Sequence, residues 1–79
     1  MVGLGILAKS GRDGVVITNV GIASRASHVG LLKGDVIKAV DGTVVKSTDE
    51  INQILSRKGQ GASVQMTIQR AKNMGLVTL

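Results

Sequence analysis

The sequence predicts an α+β fold: a small antiparallel β-sandwich or partly open barrel of five to six strands, with one short and one longer helix. Valine, isoleucine and leucine supply 25 of the 34 apolar residues, which favours a compact β-rich core. The apolar runs are short and are separated by glycine-rich turns. Only residues 47–59 combine a helix start signal, helical apolar spacing and a stop signal. We expect the 79 residues to form a single domain that is a module of a larger protein.

Two strands are predicted near the N-terminus. Residues 6–9 form a short apolar segment, and the turn-rich residues 10–14 follow it. Residues 15–20 carry apolar side chains on both faces of an extended chain, which is typical of a strand that is covered on both sides. We therefore expect residues 15–20 to be central in the sheet.

A short helix and a hairpin are predicted next. Ser24 is a favourable N-cap residue, and Gly30 is a suitable left-handed residue to end the helix. Residues 35–40 read as a strand, and Asp41 and Gly42 form a tight-turn signal. Residues 43–45 are predicted to continue as a brief strand.

The second helix has the clearest local signals. Ser47 at the N-cap and Glu50 three residues later predict a capping box, and Gly59 is predicted to end the helix. One apolar stripe at helical spacing consists of Ile51, Ile54 and Leu55. The alternating residues 64–70 predict a half-exposed strand, and residues 75–79 predict the last one.

The composition limits the classes of function. A formal charge of +5 would suit acidic partners, but the basic residues are scattered along the chain. Phe, Tyr and Trp are absent, so the aromatic stacking that single-strand nucleic-acid binders use is excluded. Without cysteine the sequence has no disulfide, thiolate nucleophile or cysteine-ligated metal. We also expect neither a secretory signal nor a membrane span, because no apolar run is long enough.

Catalytic chemistry has little support in the sequence. His28 is the single histidine, and no serine lies in a recognisable strained elbow that would make it a nucleophile. One histidine without cysteines does not make a zinc site. The glycines near the N-terminus are not followed by a long helix, so they do not form a nucleotide-binding motif. We predict a protein that is not an enzyme and binds no metal or other cofactor.

Four segments together resemble a PDZ domain. They are the Gly-Leu-Gly-Ile loop at residues 3–6, the helix start at 24–31, the run 34–42 and the helix 47–55. Their order resembles the circularly permuted bacterial type, in which the peptide-binding strand opens the domain and the C-terminus closes the sheet. The resemblance extends from residue 3 to residue 79. It departs from the family at Arg25, where Pro is common, and at Val29, where Ala is common, and both changes concern packing near the first helix.

The resemblance implies a groove for the end of a peptide. Backbone N–H groups of the loop would hold the terminal carboxylate, and small loop residues permit its close approach. The ligand would add as an antiparallel strand, with its other flank against the second helix. The carboxylate-binding loop is predicted to consist of Gly3, Leu4, Gly5 and Ile6. The docking strand and groove are predicted to consist of Leu7, Ala8, Thr48, Asn52 and Leu55.

The resemblance also implies partners. Related modules accompany high-temperature-requirement serine proteases, tail-specific proteases, site-2-type membrane proteases and secretion machinery. We therefore expect C-terminal or unfolded peptide segments that end in Val, Ala or Leu, together with an attached protease or secretion-machinery domain and a periplasmic or membrane-associated parent protein. Thr48 replaces a histidine that recognises a ligand hydroxyl in many members, so selectivity for Ser or Thr near the ligand end is not expected.

Alternatives stay open at this point. The glycine loop could be an ordinary turn, Thr48 and Asn52 could be solvated helix residues, and Leu55 could serve the core alone. The charge suits a basic nucleic-acid-binding small β domain. An exposed strand edge suits a structural self-association module. The aliphatic residues 77–79 could also occupy the groove of a neighbouring molecule, although they are better suited to closing the sheet.

Overall fold

A computed structural model describes residues 4–59 and 61–79, which contain six strands and two helices. The helices are α1 (Arg25–His28) and α2 (Thr48–Arg57). The strands are β1 (Ile6–Ser10), β2 (Val15–Val20), β3 (Val36–Val40), β4 (Thr43–Val44), β5 (Gln65–Arg70) and β6 (Asn73–Thr78). All paired strands are antiparallel. The α+β fold predicted from the sequence is confirmed, in the form of an open sheet with two helices.

The sheet order places β1 at one edge. Its strands follow the order β1-β2-β3-β5-β6, and β4 pairs with β3 outside this path. The strand at the centre is therefore β3, which has three partners, whereas β2 is internal between β1 and β3. Residues 15–20 were expected to be covered on both faces, but Val15 and Ile17 are buried while Val16 and Thr18 are only half-buried. The apolar side chains on the second face are partly covered because no layer packs fully over that face.

Two boundaries differ from the prediction. Helix α2 ends at Arg57, and its C-cap is Lys58, whose backbone is extended and whose N–H donates to the carbonyl of Leu55, so Gly59 follows the cap instead of ending the helix. The last strand begins at Asn73 rather than at residue 75, because the turn at residues 71–72 lets β6 pair with β5 immediately. By contrast, Gly30 follows α1 with φ of +83° as predicted.

The C-terminal residue belongs to the domain itself. Leu79 is buried, and it exchanges backbone hydrogen bonds of 2.7 and 3.1 Å with Val64, which precedes β5. Because these bonds and this burial are satisfied within one molecule, the tail acts as a closing segment, and its use as a ligand for a neighbour is not supported.

The core lies on one face of the sheet, beneath α2 and α1. It is formed by buried apolar residues from every strand except the short β4 and the edge strand β6, and from both helices and the segments between them. Ile51 of α2 is fully buried in this core, and Ile54 and Leu55 pack against it while remaining partly exposed. This stripe confirms the predicted apolar face of α2 and holds the helix against the sheet.

An ion pair joins the start of β3 to the end of β5. Asp35 is only 2% exposed, and Arg70 donates to it through Nε at 2.8 Å and Nη2 at 2.6 Å. The backbone N–H of Leu32 donates to the same carboxylate at 2.9 Å. The hydrogen bond from Arg70 is the main cause that holds the pKa of Asp35 below its usual value, and it outweighs the opposing effect of burial.

The predicted turn at Asp41 and Gly42 is present, and the Asp41 carboxylate also binds two groups outside the turn. Asp41 accepts hydrogen bonds from the ammonium of Lys58 and from the backbone N–H of Gln65 at 3.0 Å. The Lys58 bond is the larger of the two effects that lower the pKa of Asp41. The turn thus ties the end of α2 to the beginning of β5.

Candidate peptide-binding groove

The glycine loop leads directly into β1. Gly3 lies outside the described residues. Leu4 and Ile6 are 6% and 2% exposed and belong to the core, so their side chains hold the loop from below. Gly5, between them, has φ of +79°, a conformation that L residues adopt only at a cost. The loop is therefore anchored by its two apolar side chains and bent at its glycine.

A tight contact fixes Gly5. A Cβ atom added there would lie 2.1 Å from Cβ and 2.5 Å from Oγ of Ser24. The carbonyl of Gly5 accepts a hydrogen bond of 2.8 Å from Gly21. Ser24 is held in turn, because its hydroxyl donates to the Gly21 carbonyl at 2.8 Å and accepts from the Ser27 N–H at 3.1 Å. The N-cap of α1 thus forms the wall behind the loop, and the cradle formed by the N–H groups of Leu4, Gly5 and Ile6 stays a prediction.

Strand β1 presents a free edge for strand addition. It pairs with β2 from Ile6↔Val20 to Ser10↔Val15, and within the described part of the chain no strand pairs with its other flank. A strand with one unpaired flank offers backbone donors and acceptors to an incoming extended chain. Leu7 is exposed, whereas Ala8 is half-buried and packs against the core. Strand addition would require such an unpaired flank, and the docking role of Leu7 and Ala8 stays a prediction.

Helix α2 lies beside this edge. Ser47 caps it by accepting the Glu50 N–H at 3.2 Å, while Glu50 Oε1 accepts from the N–H of Lys46 at 3.0 Å. The predicted capping signal is therefore present, with the glutamate reaching one residue further back than the N-cap. The Thr48 N–H donates to Ser10 Oγ at the end of β1, at 3.2 Å. Residues of α2 and β1 thus meet where the helix starts and the strand ends.

The three predicted groove residues of α2 share one stripe. Residues 48, 52 and 55 are four and three positions apart, which aligns them along the helix. Thr48 and Leu55 are half-buried, and Asn52 is exposed. Leu55 packs against the core without being fully covered. The structure therefore shows the core contact of Leu55 and leaves part of its side chain accessible, and its role in lining a pocket stays a prediction.

Two of the surface cavities in the described chain are compared with the space between β1 and α2. One, of about 200 Å³, is lined by residues 5–7 together with Asn19 and Gly21. The other, of about 410 Å³, lies between the end of α1 and strands β5 and β6, with Arg70 in its wall. Neither contains a residue of α2, so neither is the space between β1 and the helix.

The described chain offers neither a metal-binding cluster nor a membrane-spanning helix. His28 is exposed, and no cluster of three or more His, Cys, Asp or Glu side chains in residues 4–59 and 61–79 could hold a metal ion. Neither described helix has the length and apolar character needed to cross a membrane.

Two residues that contact the groove, Ser24 and Ser10, could not be identified from the sequence. Ser24 was predicted only as a helix cap, yet it also requires residue 5 to be glycine. Ser10 was assigned to a turn, yet it is bonded to Thr48, 38 positions away. A contact at that separation has no local signal, because it depends on how α2 packs on the sheet.

Comparisons with known proteins agree with this geometry. The chain is 38% identical over 68 residues to the magnetosome formation protease MamE of Magnetospirillum gryphiswaldense, and the match covers 82% of this chain but only 9% of MamE. The HtrA3 PDZ domain bound to the phage-derived ligand FGRWV has a similar fold, with a TM-score of 0.82 and 17% identity over 92% of this chain and 77% of that one. The HtrA-type protease AlgW with a decapeptide matches at a TM-score of 0.82 and 22% identity over 95% of this chain and 27% of that one.

The family assignment rests on nearly the whole chain. Residues 2–79 match the family model described as PDZ domain. Domains of this family recognise peptides by adding them to a sheet edge and carry no catalytic machinery of their own. The free edge of β1 beside α2 supplies the structural counterpart of that activity. The chain belongs to the PDZ domain family and is a peptide-binding module, not an enzyme.

Proposed function

We propose that this domain captures C-terminal or extended hydrophobic peptide segments in the groove between β1 and α2. The unpaired flank of β1, lying beside a helix, is the observation that carries the proposal. The ligand adds antiparallel to Ile6, Leu7 and Ala8, so its main chain supplies much of the affinity. The other flank of the ligand faces Thr48, Asn52 and Leu55.

The terminal carboxylate binds at the loop of residues 3–6. Gly5 supports this assignment because its conformation bends the chain just before β1 and its lack of a side chain lets the loop pack directly against Ser24. Backbone N–H groups in such a bend form a concave site for an anion. Leu4 and Ile6 form the floor of the pocket for the last ligand residue, and accessible surface of Leu55 forms its side. These three aliphatic side chains suit a small aliphatic residue such as Val, Ala or Leu.

A titration tests the carboxylate site. The ¹⁵N-labelled domain is titrated with acetyl-Gly-Ser-Ala-Thr-Ala-Val as the free acid and as the C-terminal amide. We expect the free acid to shift the amide signals of Leu4, Gly5 and Ile6, and we expect amidation to weaken binding about tenfold or more because charge-assisted hydrogen bonds are lost. Equal affinity of acid and amide would contradict the carboxylate assignment and leave only extended-chain binding.

Pocket residues are tested by matched variants. Leu55→Ala removes accessible apolar surface from the proposed pocket, whereas Ser56→Ala changes an exposed neighbour on the same helix. We expect Leu55→Ala to weaken a Val-ending peptide more than an Ala-ending peptide, because the larger residue loses more contact area. Equal losses for both peptides would place the terminal residue elsewhere.

Nucleic-acid binding and self-association are the two alternative functions, and each can be tested on the same purified domain. A nucleic-acid-binding domain loses affinity for a DNA duplex steeply as salt rises, because counterions are released on binding. Peptide capture at a single carboxylate depends much less on salt. Sedimentation at increasing concentration tests self-association through the β1 edge, and a dimer that persists at saturating peptide would argue against the groove as the site of pairing.

We further propose that capture recruits substrate to, or regulates, an attached protease. This chain aligns with part of MamE, which is named a magnetosome formation protease, and the alignment supports attachment to a protease. A chimera in which this chain replaces the aligned segment of MamE provides the test. We expect added peptide to change the cleavage rate of the chimera. An unchanged rate at saturating peptide would remove the regulatory part of the proposal and leave peptide binding intact.

A further inference from the structure

The outer flank of β6 is an unpaired strand edge at the end of the sheet opposite β1. Leu79 and Val64 exchange both of their backbone hydrogen bonds, and β6 keeps that register with β5 along its whole length. Because bonded pairs alternate with non-bonded pairs along an antiparallel ladder, every second residue of β6 directs its N–H and C=O groups away from β5. These residues are Met74, Leu76 and Thr78, and within the described chain no strand pairs with them.

Strand β6 lacks the features that keep an exposed edge from pairing. Natural edges are commonly protected by charged side chains, proline or a bulge. The other edge strand, β1, carries Lys9 and has a register shift between Leu7 and Ala8. Strand β6 has no charged residue, no proline and no shift, and its Met74 and Leu76 side chains are 60% and 63% exposed. A regular, uncharged and apolar edge of this kind favours pairing with another strand.

A second copy of β6 complements this edge. When two copies run antiparallel with Leu76 opposite Leu76, Met74 of each copy lies opposite Thr78 of the other. All three outward-facing residues of each copy then meet an outward-facing residue, and each such pair exchanges two main-chain hydrogen bonds. Gly75 lies opposite Val77 of the second copy, and a Cβ built at Gly75 meets no atom within 4 Å, so there is room beside it. Although each copy has a formal charge of +5, β6 brings no charged side chain to this contact.

We infer that the domain forms a symmetric dimer by antiparallel pairing of β6 with β6 of a second copy. The inference goes beyond the proposed peptide capture and does not depend on it. The sheet continues from one copy into the other, and the two β1 edges lie at its opposite ends. The dimer therefore presents two grooves, and a ligand with two suitable segments binds it more tightly than it binds a monomer.

Sedimentation velocity at increasing concentration measures the association. A six-residue edge is about 20 Å long and gives less contact than the roughly 1,200–2,000 Å² of a standard interface. We therefore expect a weak dimer with a dissociation constant of about 10–200 µM. Saturating acetyl-Gly-Ser-Ala-Thr-Ala-Val should leave the dimer in place, because the peptide edge is β1. A domain that stays monomeric up to about 1 mM, or a dimer that this peptide dissociates, would overturn the inference.

Single cysteines test the register, because the chain has no cysteine of its own. In the proposed register the two Cα atoms of residue 76 lie about 5.5 Å apart, which is within the range for a disulfide. The two copies of residue 74 are offset by about 13 Å along the strands, which is too far. With oxidised glutathione as the oxidant, Leu76→Cys should form a covalent dimer at least about tenfold faster than Met74→Cys. Equal rates for these two similarly exposed positions would refute the register.

A charge placed on the edge tests the same contact without a covalent bond. Leu76→Lys sets two like charges directly opposite each other and removes apolar contact, so it should weaken dimerisation at least about tenfold. Ile22→Lys makes the same change at a fully exposed residue outside β6 and should alter the dissociation constant by less than about twofold. Equal association of both variants, whether strong or weak, would show that β6 is not the site of pairing.

Discussion

Gly5→Ala is the most informative single change in the domain. The substitution adds one carbon atom at φ of +79°, where an L residue is disfavoured by about 1–2 kcal/mol. The added Cβ would also lie 2.1 Å from Cβ of Ser24, far inside the contact distance of about 3.5–4 Å between carbon atoms. The loop and the start of α1 must therefore move apart.

The size of the effect follows from what that movement breaks. Displacing Ser24 removes the N-cap hydrogen bond to Ser27, worth about 1 kcal/mol, and repacking around an overfilled site costs a further 1–3 kcal/mol, roughly. With the conformational cost of about 1–2 kcal/mol, the expected loss in the free energy of unfolding is about 3–6 kcal/mol. A domain of this length has about 4–12 kcal/mol in total, so the variant is expected to be marginal.

Gly30→Ala is the matched control. Gly30 has φ of +83°, and a Cβ there would meet no atom within 4 Å. Its cost is the conformational term alone, about 1–2 kcal/mol. The difference between the two variants isolates the contact with Ser24. Because the chain has no Trp, Tyr or Phe, unfolding in urea is followed by far-ultraviolet circular dichroism.

A double variant tests whether the contact with Ser24 causes the loss of stability in Gly5→Ala. Ser24→Gly removes the obstructing side chain, and glycine is a tolerable N-cap that costs only a few tenths of a kcal/mol against serine, roughly. Gly5→Ala combined with Ser24→Gly should therefore regain about 2 kcal/mol relative to Gly5→Ala alone. If Gly5→Ala costs no more than Gly30→Ala, or if the double variant regains nothing, the close approach of the loop to α1 is refuted.

Three further variants and one control variant test the scaffold by urea unfolding. Ile51→Ala should lose about 3 kcal/mol because the side chain is fully buried, whereas Ile22→Ala, at a fully exposed residue, should stay within about 0.5 kcal/mol. Ser47→Ala should lose about 1 kcal/mol through the N-cap of α2, and a loss near zero would contradict the capping geometry. Asp35→Asn should destabilise the domain at pH 7 by about 2 kcal/mol through loss of its charged hydrogen bonds. Because the folded pKa of Asp35 lies below its unfolded value, its contribution is present above about pH 4 and fades as pH falls through the folded pKa, so the variant and the unchanged domain should converge in acid; a pH-independent difference would contradict the ion pair.

Elements with local signals could be predicted from the sequence. The start of helix α2 after Ser47 could be predicted because both capping bonds are local: the Ser47 hydroxyl accepts the N–H of Glu50, three positions on, and the Glu50 carboxylate accepts the N–H of Lys46, four positions back. The alternation of residues 64–70 similarly identifies β5, because one face of that strand is buried. The start of β6 could not be predicted, since Asn73 and Met74 are exposed on an edge strand and carry no alternation of burial. Coverage of the second face of β2 was overestimated for a related reason, as valine occurs on half-buried faces too.

The candidate site also has features that could be predicted from the sequence and features that could not. Its loop and groove residues were named through the resemblance of order and spacing, which is independent of tertiary contacts. The contacts that give the site its shape join Gly5 to Ser24 and Ser10 to Thr48. They depend on the packing of both helices against the sheet, and no pattern within a few residues encodes them. The ion pair of Asp35 with Arg70 is of the same kind, since its members are 35 positions apart.

The proposed recognition would depend more on the main chain than on side chains, and this decides which experiments can report on it. Leu4 and Ile6 are so deeply buried that truncating either one lowers stability by about 2–5 kcal/mol and confounds any change in affinity. The backbone flank of β1 has no side chain to delete. A change that acts on a backbone contact therefore carries the information, and amidation of the ligand is such a change. Among the side chains, the partly exposed Leu55 is the one whose truncation separates selectivity from folding.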